Sequence, residues 1–333
     1  MKKNILPILC LISLVIISSF QVTNSSAKSE IIKQPTGEIK VVTTISIIAD
    51  WANQVGGNLF SSIAVVSGSE DPHTYSLTSG EIEMIGESDL FIRFGLPGLE
   101  PWVQNVLDAY PSLNVLTLAK PEIMEEDSVT GDPNPHVWMS PILAKSFVQN
   151  ITNSVISLDF SHKTQYETNR DTYLTELDDL ISRVEGEYAD QLRGLKVVVH
   201  HPSFFYLLEL LEVERVGVIE EHEGSEPSAQ HIQDIVDIMK AENVSTIVTQ
   251  PQIEEDLIIQ IARDTNAKLA KLTPLLNINN IDTYIEMIEY NVFALQNPEE
   301  VTEGGWIYTA IIIGGSVFLV SFLGVVYIRY LYK

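Results

Sequence analysis

Seven histidines are the side chains in this sequence best suited to chemistry, and four stand at informative places. His73 lies in Asp71-Pro72-His73-Thr74-Tyr75, and His136 in Asn134-Pro135-His136-Val137-Trp138-Met139-Ser140-Pro141. His200 and His201 come directly before Pro202-Ser203-Phe204-Phe205-Tyr206. Neutral imidazole is a good ligand for borderline cations. Three imidazoles suit Zn²⁺, with Zn–N bonds of about 2.0–2.1 Å and one coordination position left over. Spacing alone leaves two readings open: a three-histidine cation site, or ordinary polar residues at strand ends. His162, His222 and His231 sit in polar stretches without a pattern. The single cysteine, Cys10, rules out an intramolecular disulfide and any zinc site built from several thiolates.

An alternation of strands and helices must position these residues. Runs rich in Val, Ile and Thr predict strands over 39–46, 63–66, 89–94 and 114–118, with helices over 47–55, 79–87 and 99–109. Ser140 is placed to cap a helix that opens at Pro141. The alternation restarts with strands expected over 195–200, 213–219, 245–249 and 268–272. Helices are expected between and after them, over 204–211, 229–241, 254–265 and 281–295. Between the two halves, Tyr166, Tyr173, Leu177, Leu180, Val184, Tyr188 and Leu192 recur at helical spacing. No proline interrupts 161–193 and Gly186 is its one glycine, so a long amphipathic helix is expected there, ending at Gly194. The fold class is α/β: a lobe over 38–159, a linking helix over 160–194 and a second lobe over 195–297. Open α/β sheets bind ligands beyond the carboxyl ends of their strands. His73 and His201 hold such positions, one in each half, and a cleft between the halves could gather them with His136.

Both ends of the chain are apolar. Lys2-Lys3, the apolar stretch from Ile5 and the small residues up to Ala27 predict a secretory signal peptide over 1–27. Cys10 lies inside that stretch, a poor place for a lipid-modified N-terminus. The uncharged segment 306–328, with Trp306 and Tyr330 near its ends and Arg329 and Lys333 beyond, predicts a transmembrane helix. The expectation is a single-pass protein of the cell membrane, its body extracellular and its C-terminus cytoplasmic. The chain carries 45 acidic and 20 basic residues, a net charge of −25, and every acid falls between Glu30 and Glu303. That balance excludes a nucleic-acid partner, since phosphate contacts need clustered Lys and Arg. It leaves two readings of the body: a solvated acidic surface, or one that also raises the local concentration of cations.

In these same stretches the sequence resembles the metal-binding subunits of ABC transporters for zinc and manganese, the solute-binding proteins of high-affinity zinc uptake among them. The matching runs are Asp71 to Tyr75, with Gly80-Glu81 and Ser88-Asp89-Leu90 downstream, then Pro135 to Pro141, His201 to Tyr206 and Glu226-Pro227-Ser228. They occur in order, and the resemblance covers about 39–295. It implies two α/β lobes with parallel sheets joined by one long rigid helix. It places the metal between the lobes, on His73, His136 and His201. His200 is the alternative third donor, because alternation along a strand sends neighbouring imidazoles to opposite faces. Relatives usually add an Asp ahead of a Pro-Leu pair. Thr273 stands there in this chain, so water or another carboxylate, such as Glu70 or Asp71, is expected to complete the site. The third histidine and the missing Asp both favour Zn²⁺ over Mn²⁺. The loop over 122–132 is acidic and free of histidine. Glu226 is expected behind the ligands or at a helix start, and Trp138 in packing.

The function implied is that of a monomeric receptor, not an enzyme. It would capture Zn²⁺ and deliver it to an ABC permease and its ATPase, held at the membrane by its C-terminal helix. A manganese receptor of the same family and a metal-stabilised surface adhesin are the alternatives. A zinc hydrolase needs a positioned base beside the metal-bound water. No His-Glu-x-x-His run or comparable motif is present.

Overall fold

The structure is a computed structural model that describes residues 39–301, except 221–223, 225 and 254–255. The segments 1–27 and 306–328, expected as signal peptide and transmembrane helix, lie outside the described residues. Among the described residues no helix is long and apolar enough to cross a membrane. A span needs about 20 predominantly apolar residues. The longest described helix, Lys163–Arg183, buries only Tyr166, Tyr173, Leu177 and Leu180, and polar residues make up most of the rest.

The first lobe runs β1 (Val41–Ile45), α1 (Ser46–Gly56), β2 (Ser62–Val66), α2 (Ser79–Gly86), β3 (Leu90–Arg93), α3 (Val103–Ala109) and β4 (Val115–Thr117). Its strands are parallel in the order β2-β1-β3-β4. β1 is buried along its whole length, as the apolar run in the sequence requires. α3 starts later than expected because Glu100 turns inward. Its carboxylate accepts from the Thr44 hydroxyl and from the backbone N–H of Phe94 and Gly95. α4 (Pro141–Leu158) opens as expected, with the Ser140 hydroxyl accepting from Leu143 N–H.

The linking helix is α5 (Lys163–Arg183). It passes through a π-helical turn, Val184–Tyr188, into α6 (Ala189–Leu192), and the chain leaves at Gly194 with φ of +77°. That φ costs glycine little and other residues more. Gly186 lies in the π turn, so the link is continuous but not uniform. The second lobe then repeats the scheme: β5 (Lys196–Val199), α7 (Phe205–Leu210), β6 (Glu214–Val218), α8 (Ala229–Glu242), β7 (Thr246–Thr249), α9 (Asp256–Thr265), β8 (Lys268–Lys271) and α10 (Tyr284–Gln296). Its parallel order, β6-β5-β7-β8, matches that of the first sheet. α10 begins at Tyr284 because Thr283 and Glu286 form a reciprocal capping box.

The core is not divided as the sheets are. After β8 the chain returns to the first lobe, where Leu276 N–H donates to Ser46 Oγ at 3.0 Å and Tyr284 N–H to Asp50 Oδ2 at 2.9 Å. Trp51 meets the Tyr284 ring at 5.2 Å and Phe147 at 5.6 Å, and Trp138 stacks on Phe94 at 5.3 Å. These residues belong to one apolar cluster that reaches from the first sheet to Val197 and Val199 of β5. Lobes that share a buried apolar core do not swing apart freely.

The acidic loop adds a polar tie between the lobes. Asp127 receives two hydrogen bonds from the Arg215 guanidinium of β6, at 2.7 and 2.9 Å, and both side chains are buried. Arg215 also lies 4.7 Å from the centre of the Phe205 ring. Burial pushes the Asp127 carboxyl up, but the hydrogen bonds and charge of Arg215 hold it below the usual carboxylate range. Removing one partner of a buried pair leaves the other charge uncompensated and typically costs about 3–5 kcal/mol. Asp127→Asn is therefore expected to lower stability by roughly that amount in urea unfolding. An unchanged midpoint would show that the pair does not hold the lobes together.

Candidate metal centre

Three loops from both lobes converge on one point. His73 follows β2, in the loop leading to α2. His136 precedes the 3₁₀ turn Val137–Met139, and His201 follows β5 and precedes the turn Pro202–Phe204. All three are buried, and one ring nitrogen of each lies within 4.8 Å of the others. His136 Nε2 stands 3.1 Å from His73 Nε2 and 3.1 Å from His201 Nε2. Nitrogens bound at about 2.0–2.1 Å to one tetrahedral ion would stand about 3.3 Å apart. The rings already have nearly that spacing.

The other ring nitrogens fix the tautomers. His73 Nδ1 lies 3.0 Å from Gly98 O, a carbonyl that can only accept. His136 Nδ1 lies 2.9 Å from Asn134 Oδ1, which also accepts from His136 N–H at 3.0 Å. The Asn134 Nδ2 donates to Pro202 O at 2.9 Å, so its amide cannot be turned round. His201 Nδ1 is bonded to the Glu220 carboxylate. Each Nδ1 therefore carries a proton, and the Nε2 atoms are the ring nitrogens turned toward one another. Burial pushes His73 down to about 4, helped by the neighbouring charge of His201. Burial likewise holds His136 well below its ordinary value. Neutral His73 and His136 bind a cation without first losing a proton, whereas a charged His201 must release one.

Asn134 and Glu220 are supports that sequence reasoning missed. Asn134 stands two residues before His136, a spacing that lets its side chain reach that ring. Glu220 follows from strand register: Val199 of β5 pairs with Val218 of β6, so His201 and Glu220 emerge side by side. Burial raises the Glu220 carboxyl, but the hydrogen bond and charge of His201 bring it below the usual range.

Other expected residues are placed as follows. His200 lines a larger neighbouring cavity of about 620 Å³, and its Nδ1 is buried without a partner. Asp71 and Glu226 line that cavity too, and Glu226 lies two residues ahead of the Ser228 cap of α8. Glu70 instead accepts from Ser67 N–H at 3.3 Å. The Thr273 hydroxyl donates to Leu275 O at 2.7 Å within its own turn. Trp138 packs, as expected: it meets the His136 ring at 5.2 Å and donates to Pro274 O at 2.8 Å. His162 bonds Asp159 at 2.5 Å and His231 bonds Val218 O at 2.8 Å, while His222 lies outside the described residues.

The buried rings make stability depend on pH. An imidazole depressed in the folded state binds fewer protons than in the unfolded chain at pH values between its folded and unfolded pKa. For His73 that window runs from about 4 to 6.5, and stability falls as pH drops through it. In metal-free protein the urea midpoint is expected to decline from about pH 7 to about pH 4.5, and less steeply in His136→Gln. An equal slope in the variant would assign the acid sensitivity to other groups.

The family model described as zinc-uptake complex component A, periplasmic (ZnuA), matches residues 41–297. The chain is 25% identical over 289 residues to the zinc-binding lipoprotein AdcA of Streptococcus pneumoniae, covering 80% of this chain and 57% of AdcA. It thus spans little more than half the length of that relative. It is 22% identical over 263 residues to the manganese-binding lipoprotein MntA of Halalkalibacterium halodurans, covering 76% of this chain and 86% of MntA. The laminin-binding protein Lmb of Streptococcus agalactiae superposes with a TM-score of 0.68 and 25% identity, over 79% of this chain and 100% of Lmb. AdcA and MntA are named lipoproteins. The expected localisation, a single span with a cytoplasmic C-terminus, is corrected on that ground. The match runs through both lobes and all three histidine loops, and the chain belongs to the ZnuA family.

Proposed function

We propose that this chain captures Zn²⁺ as the receptor of an ABC uptake system, through His73, His136 and His201, and delivers it to a permease driven by an ATPase. One observation carries the reading. Three buried Nε2 atoms face one another, with each Nδ1–H committed to an acceptor on the far side. A cation between them would be bonded by all three. Three neutral nitrogens favour zinc over manganese, which prefers an oxygen-rich octahedral shell. The larger cavity carries Asp71, Glu220, Glu226 and Asp256 on its wall and offers an approach for a hydrated cation.

Adhesion is a second reading, favoured by the likeness to Lmb, which is described as bifunctional, with adhesin and metal-transporting activity. Growth of a deletion strain at low zinc separates the two, since an adhesin alone would leave it unaffected.

Calorimetric titration of the full-length chain tests the metal assignment. One tight zinc site is expected, lost in His136→Ala and in His201→Ala. Manganese bound more tightly than zinc would overturn the cargo. Glu220→Gln leaves the ligands in place but weakens the orientation of His201, and is expected to lower zinc affinity about 10- to 100-fold. Full affinity in that variant would deny Glu220 a positioning role.

A further inference from the structure

Three imidazoles leave one position of a tetrahedral ion open. The small cavity beside them, about 10 Å³, has room for a single ion or water. Most oxygens nearby are engaged. Asp71 accepts from His73 N–H and from the Thr74 hydroxyl, each at 2.9 Å. Glu220 accepts from His201 and from Gly224 N–H. Ser203 donates to Gln250 Oε1 at 2.5 Å. The Thr273 hydroxyl is spent within its own turn.

Gln252 differs. It lines the same small cavity as the three histidines. Its Nε2 donates to Gly68 O of the first lobe at 2.6 Å, which settles which end of the amide is nitrogen. Its Oε1 is buried and has no hydrogen-bond partner. A buried carbonyl oxygen left unpaired is costly, and a cation would satisfy it. The position also fits the sheet. Gln252 follows β7 and His201 follows β5, the adjacent strands between which the order of the second sheet reverses. Open α/β sheets place ligands at that reversal, beyond the strand ends.

We propose that Gln252 Oε1 is the fourth donor to the captured ion, in place of the carboxylate that the family resemblance leads one to expect at Thr273. The inference rests on the three-histidine zinc reading and deepens it. All four donors are then neutral. The fourth also depends on the first lobe, because the Gly68 carbonyl there holds the amide in position.

Zn²⁺ and Co²⁺ titrations of the full-length chain test it, since the visible spectrum of bound Co²⁺ reports its donor set. Gln252→Met keeps the volume and removes the oxygen. It is expected to lower zinc affinity about tenfold or more and to shift the Co²⁺ bands, with the metal-free urea midpoint unchanged. Unchanged affinity together with an unchanged Co²⁺ spectrum overturns the proposal. If the Met variant is destabilised, Gln252→Glu decides: a gain in Mn²⁺ affinity supports a donor at this position, and no gain overturns it. Zinc retained by His136→Ala would instead remove the three-histidine reading, and this inference with it.

Discussion

Three Nε2 atoms that face one another, each ring pinned from behind, are the constraint on which the rest of the structure depends. Left alone, imidazoles at this spacing would rotate. They are kept in place because each Nδ1–H is held from behind, by Gly98 O, Asn134 Oδ1 and Glu220. The three acceptors come from different elements. Gly98 lies in the loop after β3, which Glu100 ties to β1 through Thr44. Asn134 ends the acidic loop that Asp127 anchors to β6. Glu220 leaves β6 itself. Holding three rings face to face therefore draws on both sheets.

The same requirement accounts for the shared core. Donors supplied by two lobes keep their spacing only if the lobes keep theirs. Trp138 and Tyr284 are buried at the junction, the Tyr284 hydroxyl donates to Trp138 O at 2.7 Å, and the Trp138 ring also touches His136. Ring contacts of this kind add about 0.5–1.5 kcal/mol each beyond area burial. The junction thus both orients a ligand and resists separation of the lobes. The continuous helix α5–α6 restrains the lobes further. Metal capture by such a body needs local movement of loops more than a hinge.

Much of this was legible in the sequence, and what was not has a common cause. The alternation of strands and helices, the Ser140 cap and the three histidines could be read because each is a local pattern. Asn134 was within reach of such reading, through its spacing from His136. Glu220 was not, because it depends on the register of β5 against β6. Gln252 was hidden because its amide is oriented by Gly68, far away in sequence. The role of Asp127 was hidden for the same reason: nothing local in the acidic loop shows Arg215 against it. The return of the chain after β8 to pack on α1 likewise leaves no local trace. Periodicity reports which face is buried, not what covers it.

The charge of the chain takes on a more specific meaning in this light. An excess of carboxylates attracts every divalent cation and distinguishes poorly among them. In water that attraction fades within a Debye length, about 8 Å at physiological ionic strength. The acids that matter are therefore those on the cavity wall, Asp71, Glu220, Glu226 and Asp256. Past that wall the chemistry changes. Asp71 and Glu220 are turned to backbone N–H groups, to a hydroxyl and to the back of a histidine, and the atoms that converge on the centre are imidazole nitrogens. In the proposed receptor, attraction and selection would thus fall to different groups. Carboxylates at the mouth would gather cations of any kind, and a nitrogen-rich set would retain the one that prefers imidazole to oxygen.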